Sequence, residues 1–208
     1  ILCRTHSQCG KVIHKLNKAG ISVLPRRMGL FNISQVRDII AWCQIITDGA
    51  HKETALYRII KKACGPETTY SIFSQFDKRD DAPRLTLLSK FHGTHPSIKT
   101  ILDQVRKFRE IIRKRSAGEM LWDIAKYLQV LKPSSGRYLL DDHFILLNVG
   151  NLLKRAQDFT RRNKENNSLY AFNLYIEAMM RSGGLPSIDP PTYRPQNGVV
   201  VNTVHGVK

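Results

Sequence analysis

The sequence predicts a mainly α-helical fold, with strand material confined to its two ends. Apolar residues recur at helical spacing from Ser34 to Arg181. Short runs of strand composition stand at 'ILCR' and 'ISVL' near one end and at 'VVV' near the other. No internal repeat or low-complexity tract intervenes. A helical domain inserted into an α/β domain has this layout.

Residues 1–4 read as the end of a strand. From Ser7 to Ala19 the apolar positions Val12, Ile13 and Leu16 predict a helix that stops at Gly20, and Ile21 to Leu24 predicts a second strand. Strand, helix, strand opens an α/β layer. A helix capped by Ser34 follows, with Val36, Ile39, Ile40, Cys43 and Ile46 on one face. Ala55, Leu56, Ile59, Ile60 and Ala63 mark the next, ending at Gly65-Pro66, and a short third covers Thr68 to Phe76 before a break at Asp80 to Pro83. The longest helical signal runs from Ser97 to Arg115, on the stripe Ile98, Ile101, Leu102, Val105, Phe108 and Ile112. Further helices are predicted at 119–131, 140–162 and 168–181. The proline-rich stretch 183–198 predicts an extended connector, after which Val199 to Val201 returns to strand.

A chain of 208 residues buries enough surface to fold without disulfides or metals. Its charge is the unusual property: 33 Lys and Arg against 17 Asp and Glu leave +16. Such an excess attracts polyanions, because each phosphate contact releases condensed counterions. Nucleic acid is the first candidate partner and an anionic membrane surface the second. No apolar run is long enough to span a membrane and no signal-peptide pattern opens the chain, so a soluble intracellular protein is expected. Cys3, Cys9, Cys43 and Cys64 lack zinc-ligand spacing and read as small apolar packing residues. His92 and His95 form a weak metal-ligand pair, for which a loop or helix start is the plainer reading.

The two ends carry a family likeness. The stretch 'ILCRTHSQCGKVIHKLNKAGISV' resembles the motif IV region of UvrD/Rep/PcrA-type superfamily 1 DNA helicases, with Arg4, Gln8, Gly20 and Ile21 in place. His6 stands where the family has Asn, and Gly10 where it has Arg. Downstream, 'LFNISQVRDIIAWCQII' is similar to another family stretch through Phe31, Asp38 and Ala41. At the far end, 'VVVNTVHGVK' is similar to the opening of motif V, with Thr203, His205 and Lys208 matching. In that family the second motor domain, 2A, is interrupted by a helical insertion, 2B. The resemblance therefore implies an all-helical inserted subdomain, residues 46–194, flanked by segments of an interrupted α/β motor domain at 1–45 and 195–208.

The Walker loop G-x-x-x-x-G-K-[ST] is absent from the chain, which reads as a piece of a longer protein. No cofactor is expected for this piece, whereas ATP and Mg²⁺ serve the parent helicase. The resemblance puts Arg4 against the γ-phosphate of ATP in the parent, where a guanidinium stabilises charge on the transferring phosphoryl group. It puts Gln8 near the nucleotide cleft, and Thr203 and His205 near the backbone of single-stranded DNA.

The turn 'ACGPETT' occupies the place of a 2B turn that offers backbone amides to duplex phosphate, which makes Gly65, Thr68 and Thr69 candidates; a plain helix–helix turn is the alternative. Residues 84–115 hold nine Lys or Arg against Asp103 and Glu110. Lys99, Arg106, Lys107, Arg113 and Lys114 lie off the apolar stripe, as DNA contacts or as a solvated face whose acids pair three or four residues on. The cluster Lys154, Arg155, Arg161, Arg162 and Lys164 has the same two readings. Trp42 and Trp122 read as core rather than base-stacking platforms, and nothing in the sequence selects Tyr127, Tyr138 or Tyr170 for stacking. Asp141-Asp142-His143 reads as an N-terminal helix cap rather than a catalytic cluster.

The expected partners are duplex DNA, its junction with a single strand, and the remaining helicase domains, with no membrane; the location expected is the cytoplasm, at the nucleoid. A protein-interaction or autoinhibitory helical module is the rival reading, and an unrelated basic RNA-binding domain a third.

Overall fold

The computed structural model describes residues 1–21, 23–24, 30–76, 84–91, 93–132, 140–182 and 198–204. The break at 80–83, nearly all of the 183–198 connector, and residues His92, Tyr138, His205 and Lys208 lie outside them.

Mainly helical structure is what the chain adopts. β1 (Leu2–Cys3), α1 (His6–Lys18) and β2 (Val23–Leu24) come first. A 3-10 turn at Leu30–Asn32 leads into α2 (Ser34–Ile46), α3 (Lys52–Cys64) and α4 (Pro66–Ser74). Next are α5 (Arg84–Leu88), a 3-10 turn at Ser89–Phe91, and α6 (Pro96–Ile111), extended by a 3-10 turn at Ile112–Lys114. The chain continues through α7 (Ala117–Tyr127), α8 (Leu140–Arg162) and α9 (Leu169–Arg181) to β3 (Val199–Val200) and β4 (Asn202–Thr203).

Local chemistry explains most of these boundaries. α1 stops where expected: Gly20 turns to φ 70° and the Ile21 N–H donates to the Leu16 carbonyl at 2.9 Å, a Schellman closure. At its start, the Thr5 hydroxyl accepts from the Gln8 N–H while the Gln8 amide oxygen accepts from the Thr5 N–H, a capping box. Between α3 and α4 there is a single residue, Gly65, at φ 83° and ψ 167°, a region open essentially only to glycine. Pro66 then takes the first helical position, where its fixed φ fits and its missing N–H costs nothing.

Some expectations need correcting. Ser34 is the first residue of α2 rather than its cap; Ile33 precedes it without a side-chain cap, and the Ser34 hydroxyl accepts from Arg58 instead. α7 begins at Ala117, two residues early, because Ser116 and Glu119 form a reciprocal capping box. The short α5 has no periodic signal of its own, so sequence patterning does not reveal it.

The main apolar core runs from Leu30 to Ile176 and is built around α2. Every residue from Asp38 to Thr47 is buried, because α2 packs against α3, α6, α7, α8 and α9 together. Residues 30–45, which the resemblance assigns to the edge of 2A, thus pack within the helical block. Trp42 sits edge-on to Tyr127 at 5.1 Å and to Phe108 at 6.0 Å. Tyr57, Phe73, Phe76 and Phe91 form a second chain of edge-on rings, tying α3 and α4 to the 3-10 turn before α6.

Two polar residues of α2 are buried with this core, and both are satisfied. The Arg58 Nε donates to the Asp38 carboxylate at 2.6 Å, and Lys62 binds the other oxygen. The Gln44 amide donates to Asn173 at 3.0 Å and to Glu177 at 2.8 Å, which joins α2 to α9.

A separate small core holds the two ends together. Cys3, Cys9 and Val201 are buried there, with Val12, Ile13, Leu16, Val23 and Val199 against them. β1 pairs in parallel with β4 and β2 in parallel with β3, so the strand segments from opposite ends of the chain are neighbours.

Candidate nucleic-acid interface

The sequence-derived candidates fall on three surfaces, and the first is the strand end. In the β1–β4 ladder Leu2 lies opposite Asn202 and Cys3 opposite Thr203, so both strands run to the same carboxyl edge. Arg4 follows β1 at that edge, with an exposed side chain, and Val204 follows β4. In open α/β sheets this is the edge at which ligands bind. Gln8, expected near a nucleotide cleft, has its amide oxygen engaged by the backbone N–H groups of Arg4 and Thr5 at 3.0 and 3.2 Å. The Thr-x-x-Gln spacing at 5–8 is the sequence signal for that role. For Thr203 only the strand pairing is described, and His205 lies outside the described residues.

The second surface is the α3–α4 turn. Gly65 leaves space for a ligand to approach, since a Cβ there would meet nothing within 4 Å. Thr68 is half-buried in the first turn of α4. Thr69, by contrast, is fully buried, and its hydroxyl donates to the Gly65 carbonyl at 2.6 Å. Its side chain braces the turn and does not reach solvent. Tyr70 beside it is 73% exposed, and Lys61 and Lys62 lie in the preceding turn of α3. The Cys64 thiol lies against the Ser97 hydroxyl, so this turn sits at the N-terminal end of α6.

The third is the outer stripe of α6. Ile98, Ile101, Val105, Phe108 and Ile112 face the core, while Lys99, Arg106, Lys107, Arg113 and Lys114 are exposed. Asp103 reaches Arg106 at 3.6 Å, and Glu110 forms no such pair among the described residues. Arg109 belongs to the fold: its guanidinium donates to the Ile45 and Ile46 carbonyls at 2.7 and 3.2 Å, closing the C-terminus of α2. At about 1.5 Å per residue α6 is roughly 24 Å long, so Lys99 and Lys114 stand near opposite ends of it.

Other side chains take definite roles. Trp42 is core, as expected, but Trp122 is 49% exposed, because its position on α7 lies off the buried stripe of Met120, Leu121, Ile124 and Ala125. Tyr127 is taken up by its edge-on contact with Trp42, whereas Tyr170 is 46% exposed. In the second basic cluster Arg155 turns inward, its Nε buried with no hydrogen-bond partner among the described residues, while Lys154, Arg161, Arg162 and Lys164 stay at the surface. Residues 141–143, expected to cap a helix, lie instead inside the first turn of α8, which begins at Leu140, and Asp142 is buried.

The four cysteines are free thiols; Cys3, Cys9 and Cys43 are buried, and burial pushes the Cys43 thiol up to about 12, so it is inert. Hydrogen bonds from the Ser116 backbone and hydroxyl hold the Glu119 carboxyl below the usual glutamate range, with Arg115 adding to them. Among the described residues no group of His, Cys, Asp and Glu is arranged to hold a metal, and no helix is long and apolar enough to cross a membrane.

No family model matches this chain, and a search of curated proteins finds no match either.

Proposed function

We propose that this chain is the 2B region, with edges of domain 2A, of an ATP-dependent 3′-to-5′ DNA helicase of the UvrD/Rep type, and that it contacts duplex DNA and modulates the motor. The observation that carries the reading is the parallel pairing of the two motif-bearing ends, Leu2 with Asn202 and Cys3 with Thr203. Parallel strands occur almost only with both faces covered. Here Leu2, Val200 and Val204 are each more than half exposed, as they would be in a sheet that further strands and helices complete.

In this reading Arg4 serves the γ-phosphate of ATP bound between motor domains, and Thr203 and His205 serve the single strand. The Gly65 turn, Thr68 and Lys99 meet duplex phosphate. ATP and Mg²⁺ belong to the parent protein, whose nucleotide-binding loop this sequence does not contain.

The test is fluorescence-anisotropy binding to a single strand, a blunt duplex and a duplex with a 3′ tail, each across a salt series. The duplex-containing forms should bind better, and Thr68→Ala with Lys99→Gln should flatten the salt dependence by about 0.9 for each phosphate no longer engaged. ATP turnover by the chain alone would contradict the division of labour between this region and the motor.

One observation favours a second reading, a protein-interaction or autoinhibitory module. α9 turns Tyr170, Leu174 and Met180 outward, with Leu174 65% exposed. That reading expects all three DNAs to bind weakly and alike.

A further inference from the structure

We propose a second phosphate-binding surface for nucleic acid, at the end of the helical block where Arg113 and Lys114 meet Arg161, Arg162 and Lys164. It rests on the nucleic-acid reading above and lies at the opposite end of α6 from the Gly65 turn.

The two basic runs are far apart in sequence, and three contacts bring them together. The Ala117 N–H donates to the Asn167 carbonyl at 2.7 Å, and the Gly118 N–H to the Thr160 hydroxyl at 3.2 Å. At Gly118 the approach is close: a Cβ would stand 3.3 Å from the Gln157 Cγ. The start of α7 is therefore clamped to the end of α8. Arg113, Lys114 and Arg115 immediately precede the clamp on one side, and Arg161, Arg162 and Lys164 follow Thr160 on the other.

Little acid opposes this charge. Glu119 is held in the Ser116 capping box and shared with Arg115 at 3.5 Å. Glu165 is exposed nearby, as is Glu110 one turn before Arg113 and Lys114, and Asp158 is half-buried one turn back on α8. Arg113, Lys114, Arg161, Arg162 and Lys164 are all exposed and make no ion pair among the described residues. Like charges gathered this way repel one another, and a polyanion laid across them relieves the repulsion. Three of the five are arginines, whose planar fork matches phosphate oxygens. A membrane surface suits this end less well. Interfacial helices insert an apolar face, and here Phe108 and Ile112 of the α6 arm and Leu152 and Ala156 of α8 are buried in the core.

The experiment uses the whole chain and the labelled duplex with a 3′ tail. Two double variants, R113Q/K114Q and R161Q/R162Q, remove charge from the two arms while leaving Arg115 and its capping box intact. A third, K11Q/K15Q, removes equal charge from exposed positions on α1. Thermal melts of all three should match the unaltered protein. Each of the first two should weaken binding roughly eightfold at about 0.1 M salt, and lower the salt slope by about 0.9, for every phosphate it releases. K11Q/K15Q should change little.

The proposal is overturned if the two arms behave like the α1 control, or if polyglutamate competes as well as DNA at equal charge. Binding abolished only through Thr68→Ala and Lys99→Gln would overturn it and leave the helicase reading standing. An unaltered protein that binds no DNA would overturn both.

Discussion

The helical block buries large side chains such as Phe172, Ile39, Ile60, Met120 and Leu121 around α2, whereas among the described residues the terminal unit buries Cys3, Cys9 and Val201. The block also encloses polar groups, and it partners them: Asp38 with Arg58 and Lys62, Gln44 with Asn173 and Glu177. The terminal unit leaves apolar groups in water instead, with Ile1 55% and Leu2 62% exposed. Two-stranded sheets are marginal by themselves. The block therefore carries its own stability, while the terminal unit opens at lower free energy.

A matched pair of core truncations puts the greatest strain on this contrast. Phe172→Ala should cost about 3–5 kcal/mol and lower the urea midpoint of the whole chain, since Phe172 packs edge-on to Phe159 within the block. Val201→Ala should cost roughly 1–2 kcal/mol and act locally. Native-state hydrogen exchange would then speed up across 1–24 and leave α2 to α9 unchanged. Equal acceleration everywhere would show one cooperative unit and end the distinction.

Asp38→Ala comes next in size. It strips the acceptor from a half-buried Arg58 and an exposed Lys62. Because both partners keep some access to water, the loss should be about 2 kcal/mol, below that of a fully buried pair. Thermal melts of Asp38→Ala, Arg58→Ala and the double variant would measure the coupling, and additive effects would mean that the pair contributes nothing beyond its members.

The smallest expected effect is Gln8→Ala, at most about 1 kcal/mol, confined to the first turn of α1. Amide exchange at Gln8 and its neighbours should rise with the global melt unmoved. A fall in the global melt would mean that the terminal unit and the block unfold together.

Much of the helical layout is readable along the chain, because a helix buries one face and its period shows which. The stripe from Ile98 to Ile112 and the stop at Gly20 are examples. Periodicity fails where packing surrounds an element. The expectation for α2 is one apolar face, yet α2 is enclosed, and Asp38 and Gln44 are buried because their partners arrive from α3 and α9. It fails again at Trp122, which is half in water despite its apolar neighbours in sequence. Among the candidate residues, Thr69 faces inward to its own turn and Gln8 serves its own helix.

Where most helices start and stop, the confinement of strand residues to the two ends, and the strong positive charge are all legible in the order of residues. They follow from backbone preferences and side-chain periods that act within a few residues. Which strands pair and which polar groups are buried are matters of long-range packing. So is the placing of Arg113 and Arg161 on one surface. Those outcomes depend on contacts between distant segments, and local periodicity carries no information about which segments will meet.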